Sequence, residues 1–297
     1  MAVLDTGDFT LPDKLIGPWL EKIQGGSVIA TLSDSTPMTY GTETAMTFDW
    51  GEAEYVGEGA NKSASDFTAT TMTTKPYKFQ KTIRWTEEVQ WADEDSQIDV
   101  VQQSLNQLTP ALSRALDFGV IHGIDPLSGA PVAAMSTSLS DTTNSVEVAA
   151  QANYALIDAA DLLVLADNYV PTSIALDPSF AAAFATDRVG DTGVKRYPEF
   201  NLTTAPSTLE GHTASTSRTV GAVGVAASAT NVKAIVGDFN TVRWGVQRRI
   251  GIEVIRYGDP DGQGDLKRNN QIAFRLEVLY GWGIADTDAV AKIIDAV

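Results

Sequence analysis

The chain has 297 residues, of which 43% are hydrophobic and 20% are charged, a composition typical of globular proteins and not of disordered ones. Its 21 basic and 38 acidic residues give a net charge of −17, which argues against a protein that grips nucleic-acid phosphates or an anionic membrane surface. Cysteine is absent and only two histidines occur, so disulfides, thiolate metal sites and His-rich metal sites are excluded.

Two further patterns bear on location. The N-terminus has no basic region followed by an apolar run, so we expect no signal peptide. No run of about 18 apolar residues occurs, so we expect no membrane span. These patterns predict a protein that works in solution in a reducing cytoplasm.

Residues 1–35 predict an N-terminal arm. The one apolar segment in this range, Leu15–Ile23, lies among Pro, Gly and Asp residues and is too short to hold a core of its own. Two glycines at positions 25 and 26 should end it.

Residues 36–88 predict a long two-stranded β-hairpin. Apolar and polar side chains alternate from Met46 to Trp50 and again from Tyr77 to Trp85, with the period of two that strands show. The connection around residues 57–66 is polar and rich in glycine, as expected of a mobile tip. Because a two-stranded hairpin is not stable alone in water, one this long must lie either on the body of its own chain or on another subunit. The interpretation as a whole depends on the second alternative, in which residues 46–86 project and take hydrophobic cover from an adjoining copy.

Residues 95–122 predict one long helix. Apolar side chains recur every three or four residues from Ile98 to Leu116 and form a single stripe. Pro110 lies inside this pattern and should kink the helix. Gly123 should end it.

The remaining sequence predicts a mixed helix and strand section followed by long strands. The predicted loops are residues 127–150 and 187–231, the helices are 153–168 and 178–186, and the strands are 172–177, 232–239, 246–254 and 272–282. Asp177 should cap the second of these helices. Residues 289–297 fit either a strand or a helix.

The turn between the last two long strands resembles a calcium loop. Asp259, Asp261 and Asp265 supply carboxylates at alternate positions around Gly264, but Asn270 stands where a bidentate glutamate is needed. A polar hairpin turn is the preferred interpretation.

Other candidates for chemistry have simple structural explanations. The acidic residues between Glu87 and Asp95 could serve acid–base catalysis, but carboxylates before a helix also interact favourably with its dipole. His122 and His212 have no partner motif, and phosphate-binding and dinucleotide-binding glycine patterns do not occur. We therefore expect no enzyme activity, no cofactor and no metal site.

Charge is unevenly divided along the chain. Residues 1–150 carry a net charge of −13 and residues 151–297 one of −4. The second half contains a cationic cluster formed by Arg243, Arg248, Arg249, Arg256, Lys267, Arg268 and Arg275. These side chains are either solvated on strand faces or meet the acidic first half of a neighbouring copy.

The order of several short segments along the chain indicates its family. These segments are Ala53–Gly59, Lys75–Lys81 with residues 86–88, Leu116–Gly123 with residues 129–131, Gly237–Phe239, Arg248–Val254 and Asn270–Gly281. Each is weak alone, but their order and spacing resemble the major capsid protein of tailed bacteriophages, whose coat fold is shared with encapsulin shells. The resemblance covers nearly the whole chain.

The resemblance implies an α+β tailed-phage capsid fold. Its parts would be an N-terminal arm at 1–35, an extended β-hairpin loop at 36–88, a peripheral domain at 89–150 and 237–285 with spine helix 95–122, and an axial domain at 151–236 and 286–297. It also implies a structural protein that self-assembles, as pentamers and hexamers, into the icosahedral head of a double-stranded DNA phage. The chain would reside in the virion capsid after assembly in the host bacterial cytoplasm.

The resemblance also suggests where copies meet. The extended loop would lie over a neighbouring subunit, and the 258–265 turn would meet other subunits near three-fold positions. The predicted inter-subunit contacts are Gly57, Glu58, Asn61, Lys62, Asp66, Arg248, Arg249, Asp259, Asp261, Asp265, Lys267 and Arg268. Some relatives join subunits by a Lys–Asn isopeptide bond, but no Asn and Glu matching Lys62 can be identified, so we expect no such bond.

Partners and alternatives follow from the same resemblance. Some members begin with a scaffolding segment of about a hundred residues, longer than an ordinary linker, whereas this chain begins with the arm, so we expect a separate scaffolding protein. A portal protein, an optional decoration protein and enclosed DNA held without sequence-specific contacts complete the expected partners. The alternatives are an encapsulin-like compartment, an α+β enzyme and a secreted β-rich adhesin.

Overall fold

A computed structural model describes residues 26–49, 51, 53–62, 64, 68–88, 100–148, 153–190, 193–202 and 206–296. Most of the predicted arm and the predicted first turn of the long helix, residues 95–99, lie outside the described residues.

The described residues form four α-helices and ten strands. The helices are α1 (Val28–Leu32), α2 (Val100–Asp117), α3 (Asn153–Ala166) and α4 (Pro178–Thr186). The strands are β1 (Glu43–Asp49), β2 (Thr68–Thr86), β3 (Ser145–Val148), β4 (Ser173–Leu176), β5 (Ser207–Leu209), β6 (His212–Thr216), β7 (Val232–Gly237), β8 (Val242–Ile255), β9 (Gln271–Ile284) and β10 (Val290–Asp295). A π-helical turn, Phe118–His122, continues α2.

The first sheet has the strand order β1-β2-β9-β8, with every pair antiparallel. β1 pairs with residues 68–74 of β2, so a hairpin is present where the sequence predicts one. Residues 75–86 of β2 pair instead with β9. The prediction that all of residues 46–86 project is therefore wrong. The alternating side chains Tyr77, Phe79 and Ile83 pack on the chain's own core, which gives this half of β2 the cover that the prediction assigned to another copy. We call residues 43–74 the projecting hairpin.

The long helix is confirmed from Val100 onward. Leu112, Leu116 and Val120 are buried against the first sheet, as the apolar stripe predicts. Gly123 ends the helical segment with φ +63°, a left-handed conformation that favours glycine, and its N–H donates to the carbonyl of Gly119. The kink at Pro110 stays a prediction.

Close packing joins α2 to β9. The ring of Trp282 stacks on that of Tyr77 with centroids 3.9 Å apart. A Cβ added at Gly119 would lie 2.6 Å from the Trp282 ring, so only glycine allows the helix to approach this closely. Tyr280 is fully buried and its hydroxyl donates to the carbonyl of Leu112.

The second sheet has the strand order β3-β10-β7-β4-β6-β5. Helices α3 and α4 supply a separate buried cluster with this sheet. Asp177 caps α4 as predicted, since its carboxylate accepts the N–H of Ser179 at 2.9 Å and Pro178 occupies the first position.

Three short strands lie where the sequence predicts loops. β3 falls within residues 127–150, and β5 and β6 fall within 187–231, so those loop assignments are wrong. β3 pairs in parallel with β10, and β6 lies between β4 and β5. Each is only three to five residues long, too short for a clear alternation of apolar and polar residues, and pairing with other strands decides their conformation. Residues 290–295 are strand, which resolves the open alternative for the end of the chain.

The strands β8 and β9 are confirmed and are longer than predicted. Their pairing shifts register between Val246 and Arg248 and again between Arg249 and Ile252. Such irregularities bend a strand and change which side chains face each side. The plain alternation of the sequence does not reveal them.

Candidate interaction surfaces

The projecting hairpin is fixed at its base by side chains of β8. The amide of Gln247 donates to the carbonyl of Gly41 at 2.8 Å and accepts its N–H at 3.2 Å. The Arg243 guanidinium lies 3.3 Å from the Glu43 carboxylate. Bonds from the N–H and hydroxyl of Thr39, with a smaller contribution from Arg243, lower the pKa of Glu43. These contacts set the direction in which the hairpin leaves the sheet.

Beyond its base the projecting hairpin exposes large apolar side chains. Met46 is 58% exposed, Phe48 is 50% exposed and Tyr55 is 92% exposed. None of the three belongs to a buried cluster of the described residues. The expectation that a neighbouring copy covers them stays a prediction.

The predicted contact residues of the hairpin tip face solvent. Glu58, Asn61 and Lys62 are exposed and Gly57 is partly exposed. A turn holds this segment, since the N–H of Ala60 donates to the carbonyl of Gly57 at 3.1 Å. Asp66, also predicted as a contact, lies outside the described residues.

The turn 258–265 folds onto the end of β2 around one arginine. The guanidinium of Arg84 contacts the carboxylate of Asp261 and lies 3.3 Å from that of Asp259. Burial acts to raise the pKa of Asp259, but N–H donors at residues 262–264, together with Arg84, lower it. Arg84 therefore supplies the positive charge beside the carboxylates of this turn, as expected of a polar turn and not of a metal loop. No cluster of three metal-binding side chains occurs in the described residues.

The other predicted contacts around this turn are dispersed. Asp265 accepts the N–H of Arg268 at 2.8 Å. The ammonium of Lys267 lies 3.7 Å from the carboxylate of Glu87. Arg248 is exposed on β8.

The backbone of Arg249, in β8, pairs with Val278 of β9, and its side chain lies outside the described residues. Of the predicted contact residues, the structure therefore brings together Asp259 and Asp261, which both contact Arg84, and it brings Asp265 into a hydrogen bond with Arg268. It shows no contact between this turn and the hairpin tip among the described residues.

Part of the cationic cluster meets acidic residues of its own chain. Arg243 pairs with Glu43, and Lys267 pairs with Glu87, so both acidic partners come from the first half of the same molecule. Arg275 donates to the carbonyl of Pro260 at 2.7 Å. The contrast in charge between the two halves is therefore partly balanced within one copy.

Helix α3 exposes three large apolar side chains on one side. Leu162 is 68% exposed, Leu165 is 50% exposed and Tyr154 is 40% exposed. Asp158 is also exposed and lies between Tyr154 and Leu162 on that side, so the side is mixed and not wholly apolar. The residues that α3 buries on its opposite side are Leu156, Ile157, Ala160 and Val164.

Asp117 is a buried carboxylate on which three segments of the chain converge. Its oxygens accept bonds from the hydroxyl of Ser27, from the N–H groups of Val28 (3.1 Å) and Ile29 (3.2 Å), and from the hydroxyl of Thr219 (2.7 Å). Burial raises the pKa of Asp117, although these four donors act to lower it. The sequence analysis missed this residue; the available signal was a single carboxylate following the apolar stripe of the long helix.

Both histidines make structural contacts. His122 Nε2 lies 3.0 and 2.9 Å from the carbonyl oxygens of Thr219 and Val220, and burial lowers its pKa. His212 Nε2 lies 3.1 Å from Asp161; burial acts to lower its pKa, but the bond to Asp161 raises it. Each ring thus holds elements of the fold together.

The acidic run before α2 is also engaged in structural contacts where it is described. Glu87 pairs with Lys267, and Glu88 accepts a bond from the Asn270 amide at 3.0 Å. Residues 93–95 lie outside the described residues. Among the described helices, none combines the length and the apolar character needed to cross a membrane.

Comparison with known proteins gives concordant matches over nearly the whole chain. A model of the Phage capsid family matches residues 7–294. A solved structure described as Mycobacterium phage Ogopogo is 43% identical, with 99% of this chain and 100% of that chain covered and a TM-score of 0.82. One described as Gordonia phage Cozz is 29% identical, covers 91% of this chain and 87% of that one, and gives a TM-score of 0.74.

A more distant match shows likeness of fold alone. The structure is described as the capsid of a native GTA particle; it is 16% identical, covers 92% of this chain and 91% of that chain, and has a TM-score of 0.59. No curated protein sequence matches the chain.

Proposed function

This chain belongs to the phage capsid family, and from that premise we propose how its surfaces build a shell. The α+β capsid fold expected from the sequence is confirmed, and the chain is a structural major capsid protein of a tailed bacteriophage. The observation that carries this conclusion is a family match from residue 7 to residue 294, joined by 43% identity to a phage protein of the same fold. The encapsulin alternative is not favoured.

The two sheets are assigned to two domains. The peripheral domain contains the first sheet with α2, and the axial domain contains the second sheet with α3 and α4. Residues 75–86 join the peripheral domain because they pair with β9, and residues 145–148 join the axial domain because they pair with β10. The extended loop is then residues 36–74, shorter than the sequence suggested.

The extended loop lies over a neighbouring copy. Support comes from Met46, Phe48 and Tyr55, which are at least half exposed in the single chain. Burying one such side chain fully contributes roughly 1.5–3 kcal/mol. A neighbour that covers the loop therefore stabilises both the loop and the assembly.

The axial domains meet around the five-fold and six-fold positions of the shell. Support comes from the exposed apolar side chains of Tyr154, Leu162 and Leu165 on one side of α3, where the exposed Asp158 lies between the first two. One sequence can occupy both kinds of position if the same patch packs at slightly different angles, as symmetric assemblies of identical subunits require.

The partners are a separate scaffolding protein, a portal protein and, optionally, a decoration protein. The shell encloses double-stranded DNA without sequence-specific binding, and the net charge of −17 supports a lining that does not hold phosphates. Assembly takes place in the cytoplasm of the bacterial host. The role is structural and not enzymatic, consistent with the structural contacts of His122, His212 and Asp117.

Assembly of the purified protein tests this account. We expect the chain alone to give aberrant particles or no closed shells by negative-stain microscopy, because the apolar side chains exposed on the projecting hairpin do not by themselves fix one packing geometry between copies. Co-expression with the scaffolding protein of the same phage should give uniform closed shells. Uniform shells from the pure protein would contradict a separate scaffold, and absence of this chain from the shell of the virion would contradict the function itself.

A further inference from the structure

A groove of about 700 Å³ lies between β2, the second half of α2 and two irregular segments, residues 125–127 and 218–225. Its floor is apolar, with Phe79, Leu112 and Phe118 contributing side chains. Two exposed apolar residues stand at its rim, Leu127 at 85% exposure and Val223 at 76%. Apolar residues this exposed around a concave surface are typical of an interaction site.

The groove is basic although the chain is strongly acidic. Lys78, Lys81, Arg114 and Arg218 line it, against a single carboxylate, Asp125. Lys78 pairs with a neighbouring glutamate at 2.8 Å. The other three cations form no ion pair with any carboxylate in the part of the chain that the structure describes. A chain with only 21 basic residues thus gathers four of them at one apolar site.

One wall of the groove is an open strand edge. β2 pairs with β9 along residues 75–86 and with β1 along residues 68–74 only. Within the described residues, the other edge of 75–86 carries no strand, and residues 78–81 of that strand line the groove. An open edge presents backbone donors and acceptors to an extended segment of a partner.

A segment of this same chain has the matching chemistry. Residues 49–58 contain four carboxylates and no basic residue, together with Trp50 and Tyr55. Tyr55 is 92% exposed and Glu58 is exposed in the single chain. An acidic segment with aromatic side chains complements a basic groove with an apolar floor.

The segment cannot reach the groove of its own molecule. Asp49 pairs with Thr68, and β2 runs from there to residues 78–81, a distance of roughly 40 Å at about 3.3 Å per residue. Tyr55 lies six residues beyond Asp49, within about 20 Å of it even when fully extended. The occupant must therefore come from a second copy.

We propose that this acceptor groove, lined by Lys78, Lys81, Arg114, Arg218, Leu127 and Val223, receives residues 49–58 of a neighbouring copy. The inference rests on the proposed function, since it names the surface over which the extended loop lies. Tyr55 enters the apolar floor, and the glutamates of the segment pair with the three cations that have no described carboxylate partner.

A charge exchange tests the electrostatic part. We expect the double variant Lys81→Glu, Arg218→Glu, when it is co-expressed with the scaffolding protein, to give at least tenfold fewer closed shells than the wild type. Glu54→Lys with Glu58→Lys should do the same, and combining all four changes should restore most of the yield. Lys195→Glu, an exposed change outside the groove, is the matched control. Normal yield from the groove variant, or no restoration by the combination, overturns the proposal; the second result would point to an acidic segment of another protein.

A cross-link tests the geometry. Because the chain has no cysteine, Tyr55→Cys with Leu127→Cys introduces a single pair. We expect disulfide-linked multimers from oxidised shells on a non-reducing gel, and none when Val194→Cys replaces Leu127→Cys. Normal shells without cross-linked chains would overturn the assignment.

A peptide measurement separates this inference from the function on which it rests. We expect a synthetic peptide of residues 49–58 to bind the unassembled full chain, and a version with its three glutamates changed to glutamine to bind at least tenfold more weakly. If the wild type forms no shells with its scaffold but the peptide binds, the proposed function fails and the groove stands. If shells form but the peptide does not distinguish wild type from the Lys81→Glu, Arg218→Glu variant, the groove assignment fails.

Discussion

Asp117 connects the exit of the arm to the rest of the molecule through four hydrogen bonds. The bonds come from Ser27, Val28 and Ile29 at the start of α1, and from Thr219 of a turn that follows β6. A carboxylate suits this place because all four of its partners can donate. No described cation compensates its charge, so the hydrogen bonds alone offset the cost of burial.

The substitution Asp117→Asn should destabilise the unassembled chain. The amide nitrogen of asparagine cannot accept, so at least one buried N–H or hydroxyl loses its partner, at a cost of about 1–3 kcal/mol. Urea unfolding at pH 7 measures the change in the free energy of unfolding. Asp125→Asn, at a partly exposed turn, is the control and should cost less than about 1 kcal/mol. Equal stability of Asp117→Asn and wild type would show that the four bonds contribute little.

His212 should make stability depend on pH. Because its bond to Asp161 raises the folded pKa above the unfolded value near 6.5, the protonated ring binds its proton more tightly in the folded state. The stabilisation is therefore complete below about pH 6.5 and is lost as pH rises through the folded pKa. Unfolding curves between pH 5 and pH 9 should show this decline in wild type and a smaller one in His212→Gln. An unchanged decline in the variant would assign the effect to other groups.

At the scale of elements, α2 packs closely on the first sheet. Gly119 permits the close approach that brings the helix against Trp282, whose ring also stacks on that of Tyr77. Because Trp282 is buried in a close-packed core, its ring cannot move aside without disturbing its neighbours.

The substitution Gly119→Ala should therefore destabilise the chain even though alanine favours helices. The added Cβ meets the Trp282 ring at 2.6 Å, and overpacking of this kind costs about 1–3 kcal/mol. Thermal unfolding measures it, with Gly57→Ala as the control, since a Cβ there meets nothing within 4 Å. A melting temperature for Gly119→Ala equal to that of the control would contradict the packing described.

The elements that the sequence predicts well are those with strong local patterns. β2, β8, β9 and α2 show alternation or a stripe over nine or more residues, which local chemistry alone determines. β3, β5 and β6 are only three to five residues long, and β3 and β6 depend on partners far along the chain. The contacts of Asp117 and Arg84 could not be predicted from the sequence for the same reason, because their partners lie about 90 to 177 residues away.

At the scale of the whole molecule, assembly has to overcome like charge. Each copy carries a net charge of −17, so copies repel one another over distances up to a Debye length, which is about 10 Å at 0.1 M salt. Contacts that hold a shell together must therefore be apolar or locally complementary. The three surfaces that we propose as contacts meet these requirements in part: the exposed apolar side chains of α3, those of the projecting hairpin, and the basic acceptor groove.

Hydrogen exchange along the projecting hairpin tests most directly the central claim, that this hairpin gains its cover from a neighbouring copy. The measurement compares residues 43–49 and 68–74 in the unassembled chain and in closed shells, with residues 272–282 of β9 as the internal reference. We predict fast exchange of the hairpin in the unassembled chain, slowing at least tenfold in shells, while the reference is protected in both states because β9 pairs with β2 on one side and with β8 on the other. Equal, strong protection of the hairpin in the unassembled chain would contradict the account.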